Sequence, residues 1–484
     1  MRVFHLFRYK ACLLFCLLAM TLTGAKGADS DSYLLFAAPK HEVRAVWLTT
    51  LGGLDWPRSY SQTATSKERQ QRELCRMLDR LKEAGINTIL LQTRIRATTI
   101  YPSSYEPWDG CLSGIPGKSP QYDALQFAIE ACHQRGLELH AWVVALPAGK
   151  WNQKGCANLR KRHPRMMKKV GDEGFLNPEY EGTADYLAGI CREIAVNYDV
   201  DGIHLDYIRY PETWKIKRTG NKERANITRI VSQVNAAVKR EKPWVRLSCS
   251  PIGKHDDLAR YSSKGWNSFG RVGQDAQTWV KLGLMDHLYP MLYFKGNDFY
   301  PFLLDWIEQC GNNQVVAGLA AYMLSPRERD WPLETIARQL QVGRSWRTGY
   351  ALFRTRFFLD DTKGIYSFVR NQFNFTLALT PPMSNCYSSS IPLPPKQVRL
   401  DRTADNDCLY WLQDADNKDN NYLMYNVYAS PQAHFDTEDA RWLVAARVRG
   451  NHIQIGRRSG KIPMNYAVTA MDRYGNESKA VYVN

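Results

Sequence analysis

Beyond Leu22 this 484-residue chain has no apolar run approaching the length of a bilayer crossing, so no transmembrane segment is expected in the mature protein. Its 11 cysteines are scattered; they have neither the density of a disulfide scaffold nor the spacing of a metal site. Cys75, Cys132 and Cys191 fall on the apolar faces of expected helices and read as buried free thiols. No cluster of His, Asp and Glu argues for a catalytic metal, and no cofactor is expected. Gly52-Gly53 is too little glycine for a phosphate-cradling loop after the first strand, which weighs against an open dinucleotide-binding sheet. No tight run of Lys and Arg with interleaved aromatics marks a nucleic-acid surface.

What the chain does contain begins with a leader. Met1 to Gly27 joins a basic start, an apolar run from Ala11 to Leu22 and small residues at Gly24, Ala25 and Gly27, the pattern of a secretory signal peptide over residues 1–27. The mature chain is therefore expected to be exported. The formal charge is +16, and only Arg2, Arg8, Lys10 and Lys26 of the cations fall in the leader. The mature chain therefore stays basic, which favours acidic partners over distance. Its 14 Trp and 26 Tyr supply flat amphipathic rings suited to ligands that are partly polar and partly apolar, such as sugars.

From Val43 to about Arg370 the sequence alternates short apolar strands with helical patterns. Val43–Leu48 is followed by a helix with a capping box at Thr65-x-x-Glu68 that closes at Gly85, then by the strand Thr88–Gln92. The same grammar repeats through strands at 137–144, 202–205, 245–250, 287–294, 315–319 and 348–353, each with a helical stretch between. The strands are continuous apolar runs rather than alternating ones, as expected where both faces of a parallel sheet are covered. Eight such units predict an α/β fold, a (β/α)8 TIM barrel over residues 40–375. Proline and serine then dominate residues 376–395, which read as a linker. Residues 396–484 carry short alternating strands with an early Trp and a late Tyr, resembling a fibronectin type III β-sandwich that serves as a spacer or contacts an envelope protein.

The stretch Asp199-Val200-Asp201-Gly202-Ile203-His204-Leu205-Asp206-Tyr207-Ile208-Arg209-Tyr210 supplies the fourth strand and places Asp206 at its carboxyl end, where barrels of this kind carry their chemistry. Asp206 is the expected catalytic nucleophile or base of glycosidic-bond cleavage, with Arg209 orienting it by a charge-assisted contact. Trp47, Trp56, Arg94, Trp142, Tyr207, Arg209, Tyr293 and Lys295, together with Tyr322, form the expected glycan-binding rim. Glycoside hydrolysis usually employs a second carboxyl group. Candidates on loops at the correct end are Asp55, Glu106, Asp109, Asp256, Asp257, Asp298, Glu328, Asp330, Asp360 and Asp361, with Asp55, in the stiff setting of Trp56-Pro57, and Asp298 after the sixth strand foremost, while Asp286 sits at the wrong strand end. His140 and His204 read as core histidines. Two other readings remain: a non-catalytic glycan-binding protein, and an envelope assembly factor acting through the C-terminal module.

The segments Glu42–Thr50, Leu54-Asp55-Trp56-Pro57, Tyr101-Pro102-Ser103 with Glu106-Pro107-Trp108, Gly136–Trp142 and the Asp206 stretch resemble glycosyl-hydrolase-like family ten, barrel proteins of bacterial envelopes. The resemblance covers about residues 40–375. It implies a glycosidase-like barrel, and one branch of the family cleaves peptide-free peptidoglycan strands. The chain departs from the family pattern after the second strand, at Arg94-Ile95-Arg96-Ala97-Thr98, and after the third, at Val144-Ala145. Asp206 carries over from the family; a second carboxylate does not.

Overall fold

The computed structural model describes residues 38–214, 216, 218–383, 391–417, 423–456 and 463–483. The expected leader and Cys386 lie outside the described residues. Eight strands pair in parallel: β1 (Arg44–Leu48), β2 (Thr88–Arg94), β3 (Glu138–Val144), β7 (Gly202–Asp206), β8 (Arg246–Cys249), β9 (His287–Leu288), β10 (Val316–Leu319) and β11 (Gly349–Leu352). They run in the order β10-β11-β1-β2-β3-β7-β8-β9, and parallel bridges Leu288↔Val315 and Met291↔Gly318 join the last strand to the first. The result is a (β/α)8 barrel. Pro290 has no N–H for a ladder, so β9 is only two residues long where the sequence suggests eight.

Helices α1 (Ala64–Glu83), α2 (Ala124–His133), α3 (Gly182–Asn197), α4 (Asn221–Glu241), α5 (Ala276–Lys281), α6 (Tyr300–Cys310), α7 (Leu333–Ser345) and α8 (Ile365–Phe368) follow the eight strands in turn. The cap of α1 differs from the expected Thr65/Glu68 pair. Thr63 accepts from the Ser66 N–H at 3.2 Å, and the Ser66 hydroxyl is 2.8 Å from the Thr63 N–H, so the reciprocal pair closes two residues earlier. Leu74, Leu78 and Leu81 are the buried stripe of that helix.

Every barrel strand alternates between the surrounding helices and the barrel interior. Ala45, Trp47, Leu90, Trp142, Tyr289, Val316 and Ala351 fill the interior, with His140 and His204 among them. Gly202 is required here, because a Cβ on it would lie 2.6 Å from Nδ1 of His140. A small antiparallel sheet absent from the expected elements, β4 (Pro147–Lys150), β5 (Met167–Val170) and β6 (Glu173–Leu176), is inserted directly after β3.

Beyond the barrel, strands β12 (Lys396–Arg402), β13 (Asn406–Leu412) and β16 (His452–Gly456) form one antiparallel sheet. A second contains β14 (Met424–Ser430), β15 (Leu443–Val448), β17 (Asn465–Met471) and β18 (Val481–Val483), in the order β15-β14-β17-β18. The stretch expected to be a linker is pinned beneath the barrel over residues 376–383. Arg44 donates to the Thr376 carbonyl at 2.6 Å, Thr380 to Glu138 at 2.7 Å and Arg246 to the Pro381 carbonyl at 2.7 Å.

The module itself closes the amino end of the barrel. Arg447 of β15, buried, donates to Glu138 at the start of β3 (2.9 Å) and pairs with Asp201 just before β7. Asp201 also meets His133 Nε2 at 2.8 Å. The approach is so close that a Cβ on Gly136 would come 2.3 Å from the Ala446 carbonyl oxygen. A cleft of about 860 Å³ opens beside this contact, lined by Gln126, Ile129, Leu137, Leu379, Ala446 and Ile453, at the opposite end of the barrel from Asp206.

Candidate active site

Asp206 ends β7 and its side chain is almost wholly buried, with 6% of the residue exposed. Its main chain is fixed first: the carbonyl accepts the Ala145 N–H at 2.7 Å, continuing the register Val144↔Asp206 with β3. The carboxylate then receives three donors. Oδ1 accepts the Ser250 hydroxyl at 2.8 Å and the Tyr207 N–H at 2.8 Å, and Oδ2 accepts the Trp142 indole N–H at 3.1 Å. Burial pushes its pKa up; those donors and the charge of Arg209 pull it back, and the net direction is upward. A carboxyl balanced in this way can exchange a proton in the mouth of the barrel.

Arg209 does not orient Asp206 by contact, contrary to expectation. Its Nη2 donates to Glu212 at 2.6 Å, its guanidinium lies 4.5 Å from the centre of the Tyr207 ring, and Nε and Nη1 have no hydrogen-bond partner among the described residues. Tyr207 adopts φ 50°, which turns its side chain out of the strand direction and leaves it 39% exposed. It stands at the mouth as an accessible ring.

The floor and wall are aromatic. Trp47 is buried, donates to His204 Nε2 at 3.2 Å and meets Tyr289 and Phe353 edge-on at 6.0 Å. His204 in turn faces the Ser248 hydroxyl through Nδ1 at 2.9 Å, and burial holds its pKa well below the ordinary value. It is a neutral core histidine, as its parity in the strand suggests. Tyr293 is half-buried, stacks on Phe353 at 5.8 Å and meets Tyr322 edge-on at 5.8 Å. Burial and the nearby Asp206 charge both raise its hydroxyl pKa. Lys295 is exposed on the rim, 5.4 Å from the centre of the Trp331 ring.

Two expected rim residues, Arg94 and Trp56, and the candidate carboxylate Asp55 are buried and engaged elsewhere in the fold. Arg94 is fully buried: its Nε and Nη2 hold Glu106 at 2.8 and 2.7 Å, and its Nη1 holds the carbonyls of Val144 and Ala145. It braces the loop after β3 from below, and with 0% exposure it presents no surface to a ligand. Trp56 is also fully buried, its indole N–H given to the Gln70 carbonyl of α1 at 3.0 Å. Asp55 is 1% exposed, and its oxygens accept the Thr49 N–H (2.8 Å), the Arg356 N–H (3.0 Å) and Arg354 Nη1 (2.5 Å), so it clasps the loop after β1 to the loop after β11. Asp298 is half-buried and takes the Lys254 ammonium at 2.7 Å. Neither Asp55 nor Asp298 touches Asp206, and among the described residues no Asp or Glu side chain hydrogen-bonds to it.

Ser250 is the site residue that the sequence reading passed over. It shares inward parity with Ser248 at the carboxyl end of the fifth barrel strand, and that parity is the signal that could have found it. Among the described residues no group of three or more His, Cys, Asp and Glu side chains is placed to hold a metal ion.

Three comparisons bear on this geometry. The family model described as glycosyl hydrolase-like 10 matches residues 42–222 and 221–321. The chain is 26% identical over 490 aligned residues to glycosyl hydrolase YngK of Bacillus subtilis strain 168, covering 93% of this chain and 94% of that one. It is 27% identical over 334 residues to glycosyl hydrolase DigH of Escherichia coli K12, covering 60% and 76%. Among solved structures, the PgaB (BpsB) glycoside hydrolase domain from Bordetella bronchiseptica is 15% identical with a TM-score of 0.48, covering 70% of this chain and all of that domain.

Proposed function

The chain belongs to the glycosyl hydrolase-like 10 family, and from that premise we propose that it is an exported glycoside hydrolase that cuts a polysaccharide, with Asp206 carrying the proton transfer at the barrel mouth. The observation that carries this reading is the setting of Asp206. A carboxyl at the end of the fourth strand receives three hydrogen bonds, and burial nevertheless raises its pKa. That balance suits general acid–base work at the glycosidic oxygen better than a permanently ionised nucleophile. Trp142 and Tyr293 frame the carboxyl, and Tyr207 offers an exposed ring for a sugar face.

Peptidoglycan glycan strands are the proposed substrate, in the periplasm or elsewhere in the cell envelope, in keeping with the leader over residues 1–27. The C-terminal module is proposed as fibronectin type III-like, on its division into one sheet of three strands and one of four. The test is release of reducing ends from purified glycan strands. Asp206→Asn, shown to be folded by its circular dichroism, loses activity about 10³-fold or more. Unchanged turnover in that variant overturns the assignment.

A second reading is favoured by one observation: both candidate partners of Asp206 are engaged by cations, Asp55 by Arg354 at 2.5 Å and Asp298 by Lys254 at 2.7 Å. A barrel lacking a working pair binds glycan without cutting it. Tight binding by the wild-type protein with no reducing ends from any polysaccharide supports this reading over hydrolysis.

A further inference from the structure

We infer that the insertion after β3, residues 147–176, is a binding surface for an anionic polysaccharide, lying beside the mouth so that the chain threaded past Asp206 continues across it. This rests on the glycosidase reading for its orientation but on separate observations for its chemistry. Residues 147–176 carry eight Lys and Arg residues against two acids, Asp172 and Glu173. Folding gathers these charges on the β4-β6-β5 sheet and its flanking helix rather than dispersing them, and Lys154, Lys161, Arg165, Lys168 and Lys169 are all exposed. Among the described residues, only Lys150 of the eight has a carboxylate within ion-pair distance, Asp172 at 2.5 Å.

The cations are interleaved with rings. Arg160 and Lys169 lie 4.4 and 5.7 Å from the centre of the Trp151 ring, Arg165 lies 5.2 Å from that of Tyr180 and Lys168 3.9 Å from that of Trp214. Such pairing steadies each long side chain without neutralising it. The surface therefore alternates fixed positive charge with flat apolar area, as does a polymer whose carboxylates are spaced along sugar rings.

The surface is continuous with the site. Trp214, under Lys168, belongs to the loop that follows Asp206 and packs edge-on against Tyr210 at 5.2 Å. Gly149 of β4 abuts Arg96 of the loop after β2, where a Cβ would lie 3.2 Å from that of Arg96, and the Arg96 charge acts on Tyr207. A glycan longer than the cleft has to lie over some part of the rim, and this part attracts anions.

The experiment uses the full chain, with lysines that make no hydrogen bond or ion pair: Lys161→Gln, Lys168→Gln and Lys169→Gln combined. Two substrates are compared at low ionic strength, peptide-free glycan strands with free carboxylates and the same strands with carboxyls reduced to alcohols. For the wild type, the KM on the carboxylate form is lower and rises with salt. The triple variant raises that KM on the order of tenfold, leaves kcat and the melting temperature in place, and leaves the reduced strands unaffected. Equal KM values for the two forms, or a triple variant indistinguishable from wild type, overturn the inference while leaving hydrolysis intact. Binding is measured in parallel with Asp206→Asn by calorimetry. Salt-dependent binding of the carboxylate strands, weakened in the triple variant, supports the surface even if no cleavage is found. Stronger binding to duplex DNA or to vesicles containing phosphatidylglycerol than to the strands overturns it.

Discussion

The Ser250 hydroxyl and the Asp206 carboxylate stand 2.8 Å apart on neighbouring strands, and this cross-strand bond is the leading influence drawing the Asp206 pKa back against burial. Ser250→Ala removes a donor to the ionised form, so the Asp206 pKa rises further. The alkaline limb of the pH–rate profile, where a general acid loses its proton, moves to higher pH, and kcat on glycan strands falls about tenfold or more at the wild-type optimum. An unshifted limb shows that the limb reports another group.

Trp142→Phe keeps the ring and deletes the N–H that reaches Oδ2 of Asp206 at 3.1 Å. The folded state loses about 1 kcal/mol from the missing hydrogen bond. Turnover drops more than KM rises, because the lost contact is to the reacting carboxyl rather than to a remote sugar. A change confined to KM would place Trp142 in binding alone.

Asp55→Asn separates a clasp from a catalytic group. It leaves Arg354 facing a neutral amide, at a cost of about 1–3 kcal/mol in stability and with kcat close to wild type at 20 °C. A loss as deep as that of Asp206→Asn, at unaltered melting temperature, returns Asp55 to the reaction.

Glu138 and Asp201 carry a pH prediction. Burial works to raise both carboxyls, but Arg447 with His140 holds Glu138 at about 2, and His133 with Arg447 holds Asp201 well below its ordinary value. A depressed folded-state pKa gives stability that is present above the unfolded value and lost as pH falls through the folded one. Wild-type stability therefore declines from about pH 4.5 downward towards pH 2, within the ordinary and the depressed values of Glu138. Arg447→Met removes the shared cation, costs about 3–5 kcal/mol near neutral pH and flattens that decline. Urea unfolding from pH 2 to pH 7 reads both effects.

The barrel was legible because parallel strands buried on both faces must be apolar throughout, which is why Leu139–Val144 and Gly202–Leu205 announce themselves. Asp206 was legible for the converse reason, as an acidic residue ending such a run. The engagement of Arg94 and Trp56, expected on the rim, and of Asp55, expected as a second carboxylate, was not legible because their partners Glu106, Gln70 and Arg354 are set by the fold, the last of them 299 positions away. The basic insertion is not marked by its sequence because Arg160-Lys161-Arg162 and Lys168-Lys169 are short runs, and two of the rings they are paired with, Tyr180 and Trp214, are brought up only by the fold. Proline-rich composition describes the unbound chain and carries no sign that Thr376, Thr380 and Pro381 are fastened to the barrel by Arg44, Glu138 and Arg246.

Arg447 also governs where the protein can be cut. A fragment ending at residue 375 keeps Glu138 and Asp201 at the base of the barrel but forfeits the guanidinium that reaches both. Anyone trimming this chain to a minimal catalytic piece would leave two anions facing an opened floor. The smallest unit worth expressing extends through the C-terminal sheets.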